Sequence, residues 1–228
     1  MRWRFSVLVV WLMVTPWIAA QTCPRSGWEK GYWSKLAAQP CRENMDLDPV
    51  KIPSPDQKQA LLLKKEEVFL VSGNGAEQKI FYRARGTEFL WSPDSKLVLM
   101  TYCFGAAGPC GAESSVQGSS DFSITDMVRT EFASGHKGDD CYEVANIGGL
   151  TWKDGSDKVV VIAEVPPAPS CAEHNEGYFE SFVVSLSQRK VVDRYNMQKT
   201  IHRWRSILGS GLHSDIKLVK EDAKLLHQ

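Results

Sequence analysis

The chain has 228 residues, and 27 basic residues balance 27 acidic ones. That neutrality, without a basic block, gives no footprint for nucleic acid or for an anionic membrane surface, and the length suits one domain with a real core. Six cysteines with no Cys-x-x-Cys pair argue against a thioredoxin-like motif or a ribbon-type zinc site.

In chain order, residues 1–20 read as a secretory signal peptide. Arg2 and Arg4 precede the apolar run Phe5 to Ile18, and Ala19 and Ala20 supply the cleavage site. The apolar run is short for a membrane span and is broken by Pro16, so no membrane attachment is expected after cleavage. All of Cys23, Cys41, Cys103, Cys110, Cys141 and Cys171 lie beyond that cut. An even count behind an export signal implies disulfides. The parsimonious pairing is Cys23–Cys41, Cys103–Cys110 and Cys141–Cys171. Secretion is expected, to the periplasm of a Gram-negative cell or otherwise outside it. The absence of an Asn-x-Ser/Thr acceptor leans toward the periplasm.

Residues 21–48 form a Cys-stapled segment with Trp28, Tyr32 and Trp33, suited to packing on one end of the domain. A repeat follows within residues 49–212. SPDQKQALLL starts at Ser54, SPDSKLVLMT at Ser92 and WKDGSDKVVVIAEV at Trp152. Each is a polar turn holding a lysine (Lys58, Lys96, Lys158), followed by an apolar strand. Ser54–Lys65 also fits a helix cap, but three consecutive leucines make no amphipathic stripe, so a strand is expected. A second signature starts with Phe69, Phe122 and Phe182. It leads through a polar turn to Gln78–Arg83, Val128–Phe132 and Lys190–Tyr195, all expected as strands. Four antiparallel strands per unit is the layout of a propeller blade.

Trp91-Ser92-Pro93-Asp94-Ser95-Lys96 resembles the W-S-P-D-G-K motif of TolB-type, WD-like β-propeller repeats, with Ser95 in place of the usual Gly. The resemblance covers residues 50–196 and implies an all-β fold: a partial or open array of about three blades. It implies no activity. An open array leaves two β edges through which chains could associate. Residues 199–208 are expected to add a strand, and residues 213–228 a short C-terminal helix docked by Ile216, Val219, Ala223 and Leu226. Trp91 and Trp152 are expected in the core.

The interval from the turn lysine to the second signature is short in the first unit (Lys58 to Phe69). It is long in the second (Lys96 to Phe122) and third (Lys158 to Phe182). With the connection 133–147, these insertions predict three cysteine-bearing loops on one face, the usual layout of a binding surface. The candidate partner-binding residues are Phe104, Ser114, Ser115, Ser119, Ser120, His136, Asp139, Asp140 and His174. Serines of the first loop could hydrogen-bond inside a partner's cleft, and the polar residues of the others would form its rim. The expectation is an exported protein-binding module, in one form an inhibitor or periplasmic immunity protein that blocks a secreted cell-wall hydrolase. Two alternatives stand beside it. One is a secreted hydrolase or metal-dependent enzyme using His136 and His174. The other is a structural scaffold with an open β edge. No catalytic motif, compact metal-ligand spacing or cofactor motif is present, so no catalytic residue, metal or cofactor is expected.

Overall fold

The computed structural model describes residues 28–41, 49–82, 86–104, 109–115, 123–137, 145–166 and 177–212. The signal peptide, Cys23, Cys141, Cys171 and the expected C-terminal helix lie outside the described residues.

The repeated turn is built the same way twice. Ser54 Oγ donates to Asp56 Oδ1 at 2.7 Å and accepts the N–H of Gln59 at 3.1 Å. Ser92 Oγ donates to Asp94 Oδ1 at 2.7 Å and accepts the N–H of Leu97 at 2.9 Å. The fourth residue of each turn is left-handed, Gln57 at φ 60° and Ser95 at φ 61°. That is the position where the W-S-P-D-G-K pattern carries Gly, the residue that enters this region without steric cost. The third turn uses Asp154 and Gly155, with φ 56° and 73°. The three turns touch. Asp56 N–H donates to Ser95 Oγ at 3.1 Å, and Ser156 Oγ donates to Asp94 Oδ2 at 2.9 Å. The Ser92 hydroxyl, against a smaller opposing cost of burial, holds the Asp94 carboxyl down at about 2.

Each turn joins the first two strands of its repeat unit, and each unit forms part or all of an antiparallel sheet. The first sheet is β3 (Val50–Pro53), β4 (Ala60–Lys64), β5 (Glu67–Val71) and β6 (Glu77–Tyr82), in that order. The second runs β1 (Trp28–Lys30), β2 (Ala38–Pro40), β7 (Glu88–Trp91), β8 (Val98–Cys103) and β9 (Cys110–Ser114). The third is β10 (Asn146–Lys153), β11 (Lys158–Val165), β12 (Tyr178–Ser185) and β13 (Lys190–Tyr195). Residues 60–64 are a strand, as the repeat requires. Two helices complete the described fold, α1 (Ile124–Gly135) and α2 (Met197–Trp204). No helix among the described residues is long and apolar enough to cross a membrane.

The second sheet lies between the other two, and the alternation along a strand shows it. On β7 and β8, Phe89, Val98 and Met100 pack with Ile52, Leu61, Leu63 and Phe81 of the first sheet. Leu90 and Leu99 pack with Ile147, Val159, Val161 and Phe182 of the third. Both faces of residues 98–100 are therefore buried. The N-terminal segment serves two sheets, and its Trp33 packs with Val160, Ile162 and Val183 on the outer face of the third. Its strands β1 and β2 extend the second sheet, and Trp33 crosses to the third, where a Cβ on Gly148 would overlap its ring.

Three expected strands are helices. Residues 122–125 and 128–132 were matched to the repeat, yet 124–135 is α1. Ser123 caps it by accepting the N–H of Asp126 at 3.1 Å, and Ile124, Val128 and Phe132 form one buried stripe. The third strand of this unit is instead β9, inside the stretch read as an insertion. Helix α1 then covers the edge of β9: Thr125 Oγ1 accepts the N–H of Ala112 at 2.8 Å and donates to its carbonyl at 3.0 Å. Residues 199–208 do not add a strand either. Asn196 caps α2 through Lys199 N–H, and Met197, Thr200 and Trp204 are its buried face. Only Leu208 makes a β-bridge, to Ser34.

Candidate functional site

The turns occupy one end of the strands, so the connections between second and third strands emerge at the other. In the second sheet this connection is a short clip. Cys103 and Cys110 are disulfide-bonded, and Phe104 N–H donates to Pro109 O at 3.3 Å. Phe104 is 63 % exposed. Its ring stands edge-on to Tyr102, centroids 5.3 Å apart. The Tyr102 hydroxyl donates to Glu113 Oε1 at 3.0 Å. Burial, reinforced by the Glu113 charge, pushes that hydroxyl up to about 12, so it stays a donor at any physiological pH.

Arg129 of α1 ties this clip to the next connection. Its Nη2 donates to Cys110 O at 2.9 Å and its Nε to Ala145 O at 3.1 Å. Cys110 N–H donates to Asn146 Oδ1 at 3.0 Å. His136, just past the end of α1, joins the third connection. Glu180 Oε1 accepts from the Tyr178 hydroxyl at 2.6 Å, and Oε2 accepts from Arg194 Nε. His136 Nε2 lies 3.3 Å from Glu180 Oε1 and 3.1 Å from Arg194 Nη2. One ring nitrogen either accepts from the guanidinium or donates to the carboxylate, according to the tautomer. Gly135 leaves room for the Arg194 guanidinium, which a Cβ would overlap. With both oxygens of a buried Glu180 engaged, the cluster fastens α1 to β12 and β13. The described flanks of all three connections thus meet at one end of the molecule.

The remaining expected residues divide. Ser114 and Ser115 are not brought beside Phe104. They end β9 at the turn side, where Ser114 pairs with Leu99 and Ser115 Oγ accepts the N–H of Val98 at 2.8 Å. Ser119, Ser120, Asp139, Asp140 and His174 lie outside the described residues, as do the partners expected for Cys41 and the pair Cys141–Cys171. Cys41 is itself disulfide-bonded. Among the described residues no three of His, Cys, Asp and Glu cluster as metal ligands.

An apolar concavity at the turn end was not read from the sequence. Leu36, Ile52, Trp91, Pro93, Thr151 and Trp152 help line an apolar cleft of about 280 Å³ where β3, β7 and β10 converge at the turn end. Trp152 is buried as expected and its Nε1 donates to Leu90 O at 3.0 Å. Trp91 is only partly buried and forms cleft wall. The signal available in the sequence was the recurrence of Trp or Pro just before each turn, which puts flat apolar surfaces from every unit at one place. No protein-family model, curated protein or solved structure matches the chain.

Proposed function

We propose that this chain is an exported protein-binding module whose partner docks at the loop end, in one form a secreted hydrolase that the module inhibits. The single observation that carries the reading is the disulfide-clipped tip at residues 103–110. It holds a large apolar side chain, Phe104, out in solvent at 63 % exposure. Beside it, Arg129 donates to the carbonyls of Cys110 and Ala145, and Asn146 accepts the Cys110 N–H, which ties the tip to the flank of the next connection. An exposed aromatic on a short, covalently closed tip binds with little loss of conformational freedom, the economy that marks interface anchors. The three sheets, each containing a polar left-handed turn ahead of an apolar strand and meeting at one cleft through β3, β7 and β10, support a partial β-propeller as the scaffold.

The docking residue is Phe104, with the Tyr102 ring as its neighbour; Ser114 and Ser115 face the other end and drop out of the role. Affinity capture from the exporting compartment, with wild type and Phe104→Ala as paired baits, tests this. The expected outcome is a partner retained by wild type and lost by the variant, with unchanged circular dichroism. Identical captured species from both baits would overturn the assignment.

A further inference from the structure

Helix α2 follows β13 after one residue, Asn196, and β13 ends toward the loop end, where Tyr195 pairs with Ser181. On its buried face, Met197 and Trp204 share an apolar cluster with both cysteines of the 103–110 clip. The opposite face carries Lys199, His202 and Arg203 at i, i+3 and i+4, with Arg205 just beyond, and all four are exposed. Residues 196–212 contain no Asp or Glu. On the first and third sheets, Lys64, Lys79 and Lys158 each have a carboxylate partner. Among the described residues, none of the four basic residues of this face has one. Asp193 of β13 accepts from the Tyr195 hydroxyl instead. Helix stability does not account for the face. Basic residues suit a helix C-terminus, which covers His202 and Arg203. Lys199, however, stands in the first turn, where the dipole disfavours it, and it repels Arg203 one turn on.

Arg203 is also held in place. Its guanidinium lies 5.0 Å from the centre of the Tyr195 ring and 5.4 Å from that of Trp204. Stacking orients the guanidinium plane and leaves its N–H edge for a forked acceptor, the geometry that suits a carboxylate. The support beneath is fastened. Gly209 N–H donates to Trp33 O at 2.9 Å and Lys35 N–H to Ile207 O at 2.8 Å, while the Glu88 carboxylate accepts the N–H of Tyr32 and of Trp33. We propose that the exposed face of α2 is the electrostatic part of the docking surface: Arg203, flanked by Lys199 and Arg205, binds carboxylate side chains of an acidic protein partner. The proposal rests on the reading of the loop end as the docking end, and adds the partner's charge. A helix of eight residues is about 12 Å long. That matches a few side chains on a folded partner and is too short for the phosphate track of a nucleic acid.

Nitrogen-15 NMR of the full chain, with a hexaglutamate peptide as probe, tests the face. Shift changes are expected in residues 197–206 and at Arg203 Nε, fading at about 0.5 M salt. Arg203→Lys keeps the charge but loses the planar fork, and is expected to weaken binding about tenfold. Shift changes spread over the whole surface, or equal affinity for Arg203→Lys, overturn the proposal. So does a failure to bind, which a carboxylate of residues 213–228 already seated there would produce. Co-sedimentation with phosphatidylglycerol vesicles, undiminished by Arg203→Lys, would assign the face to lipid and overturn it too. A third capture bait, Lys199→Gln with Arg203→Gln, separates this proposal from the reading it rests on. A partner lost by Phe104→Ala but kept by this bait sinks the α2 proposal alone. A partner kept by Phe104→Ala sinks the docking end, and the peptide result then decides α2 by itself.

Discussion

The first and third sheets share a four-strand order, with a polar left-handed turn between their first two strands, yet they are stabilised differently. In the third, both faces are covered. Val159, Val161 and Phe182 meet the second sheet, while Val160, Ile162 and Val183 meet Trp33, Trp204 and Leu208. Strands β11 and β12 are accordingly almost unbroken apolar runs, each buried at every residue after the first. In the first, one face meets the second sheet and the other meets solvent. Leu61, Leu63 and Val68 are buried, while Leu62, Lys64 and Phe69 of the opposite face are only partly so. That outer face is covered by its own side chains. Lys64 reaches Glu77 at 2.5 Å and Lys79 reaches Glu67 at 2.6 Å. Lys64 Nζ also lies 5.1 Å from the centre of the Phe69 ring. One backbone unit therefore accepts either a second apolar layer or a charged lattice, and strand composition follows the choice.

The largest expected effect separates the sheets directly. Phe182→Ala removes a ring with no exposure from between sheets and is expected to cost about 3–5 kcal/mol. Phe69→Ala, at the corresponding place in the repeat but on the solvated face, is expected to cost roughly 1 kcal/mol. Urea unfolding of both variants checks this. Equal losses would mean that the two sheets are supported alike and that the comparison fails. The next effect probes the third sheet's outer cover. Gly148→Ala drives a methyl into the Trp33 ring and is expected to cost about 1–3 kcal/mol. Its readout is urea unfolding together with a red shift of tryptophan emission as Trp33 is displaced. A neutral variant would show that the N-terminal segment is not packed on the third sheet.

The same contrast explains what the sequence made legible. The turns at Ser54, Ser92 and Asp154 and the strands after them could be read because each carries its own local chemistry: a serine hydroxyl in the first two, an Asp-Gly in the third, and a run of leucine or valine after each. The second unit was read only in part, because alignment to the repeat overrode local evidence. Ser123 with Asp126, and Ile124, Val128 and Phe132 at helical spacing, mark a capped helix. The strand Cys110-Gly111-Ala112-Glu113-Ser114 has almost no β-forming residue. It is a strand because β8 pairs with it and Thr125 takes up the N–H and carbonyl of Ala112, both long-range facts. Gly148-Gly149 reads as a turn but lies inside β10, where Trp33 presses on one glycine and Leu99 on the other. The disulfide at Cys103–Cys110 was anticipated. Glu88 was not, since nothing beside it in the sequence shows that three amides from residues 32–34 will converge on it.

The smallest expected effect tests whether the charged lattice of the first sheet holds structure or only keeps water-facing apolar surface soluble. All four partners are substantially exposed, with side-chain exposures of 42 % and 36 % for Lys64–Glu77 and 34 % and 42 % for Lys79–Glu67. Exposed pairs of this kind contribute about 0.2–1 kcal/mol each and weaken with salt. Lys79→Met with Glu67→Gln removes one pair while keeping a long stem over the sheet, so stability is expected to fall by less than about 1 kcal/mol. Moderate salt should bring wild type toward the variant. A larger loss would place the pair in a desolvated site, covered by something beyond the described residues, and the first sheet would then resemble the third. A loss near zero with earlier aggregation on heating would assign the lattice to shielding Leu62 and Phe69 from other chains, the task that α2 and Trp33 perform for the third sheet by burial.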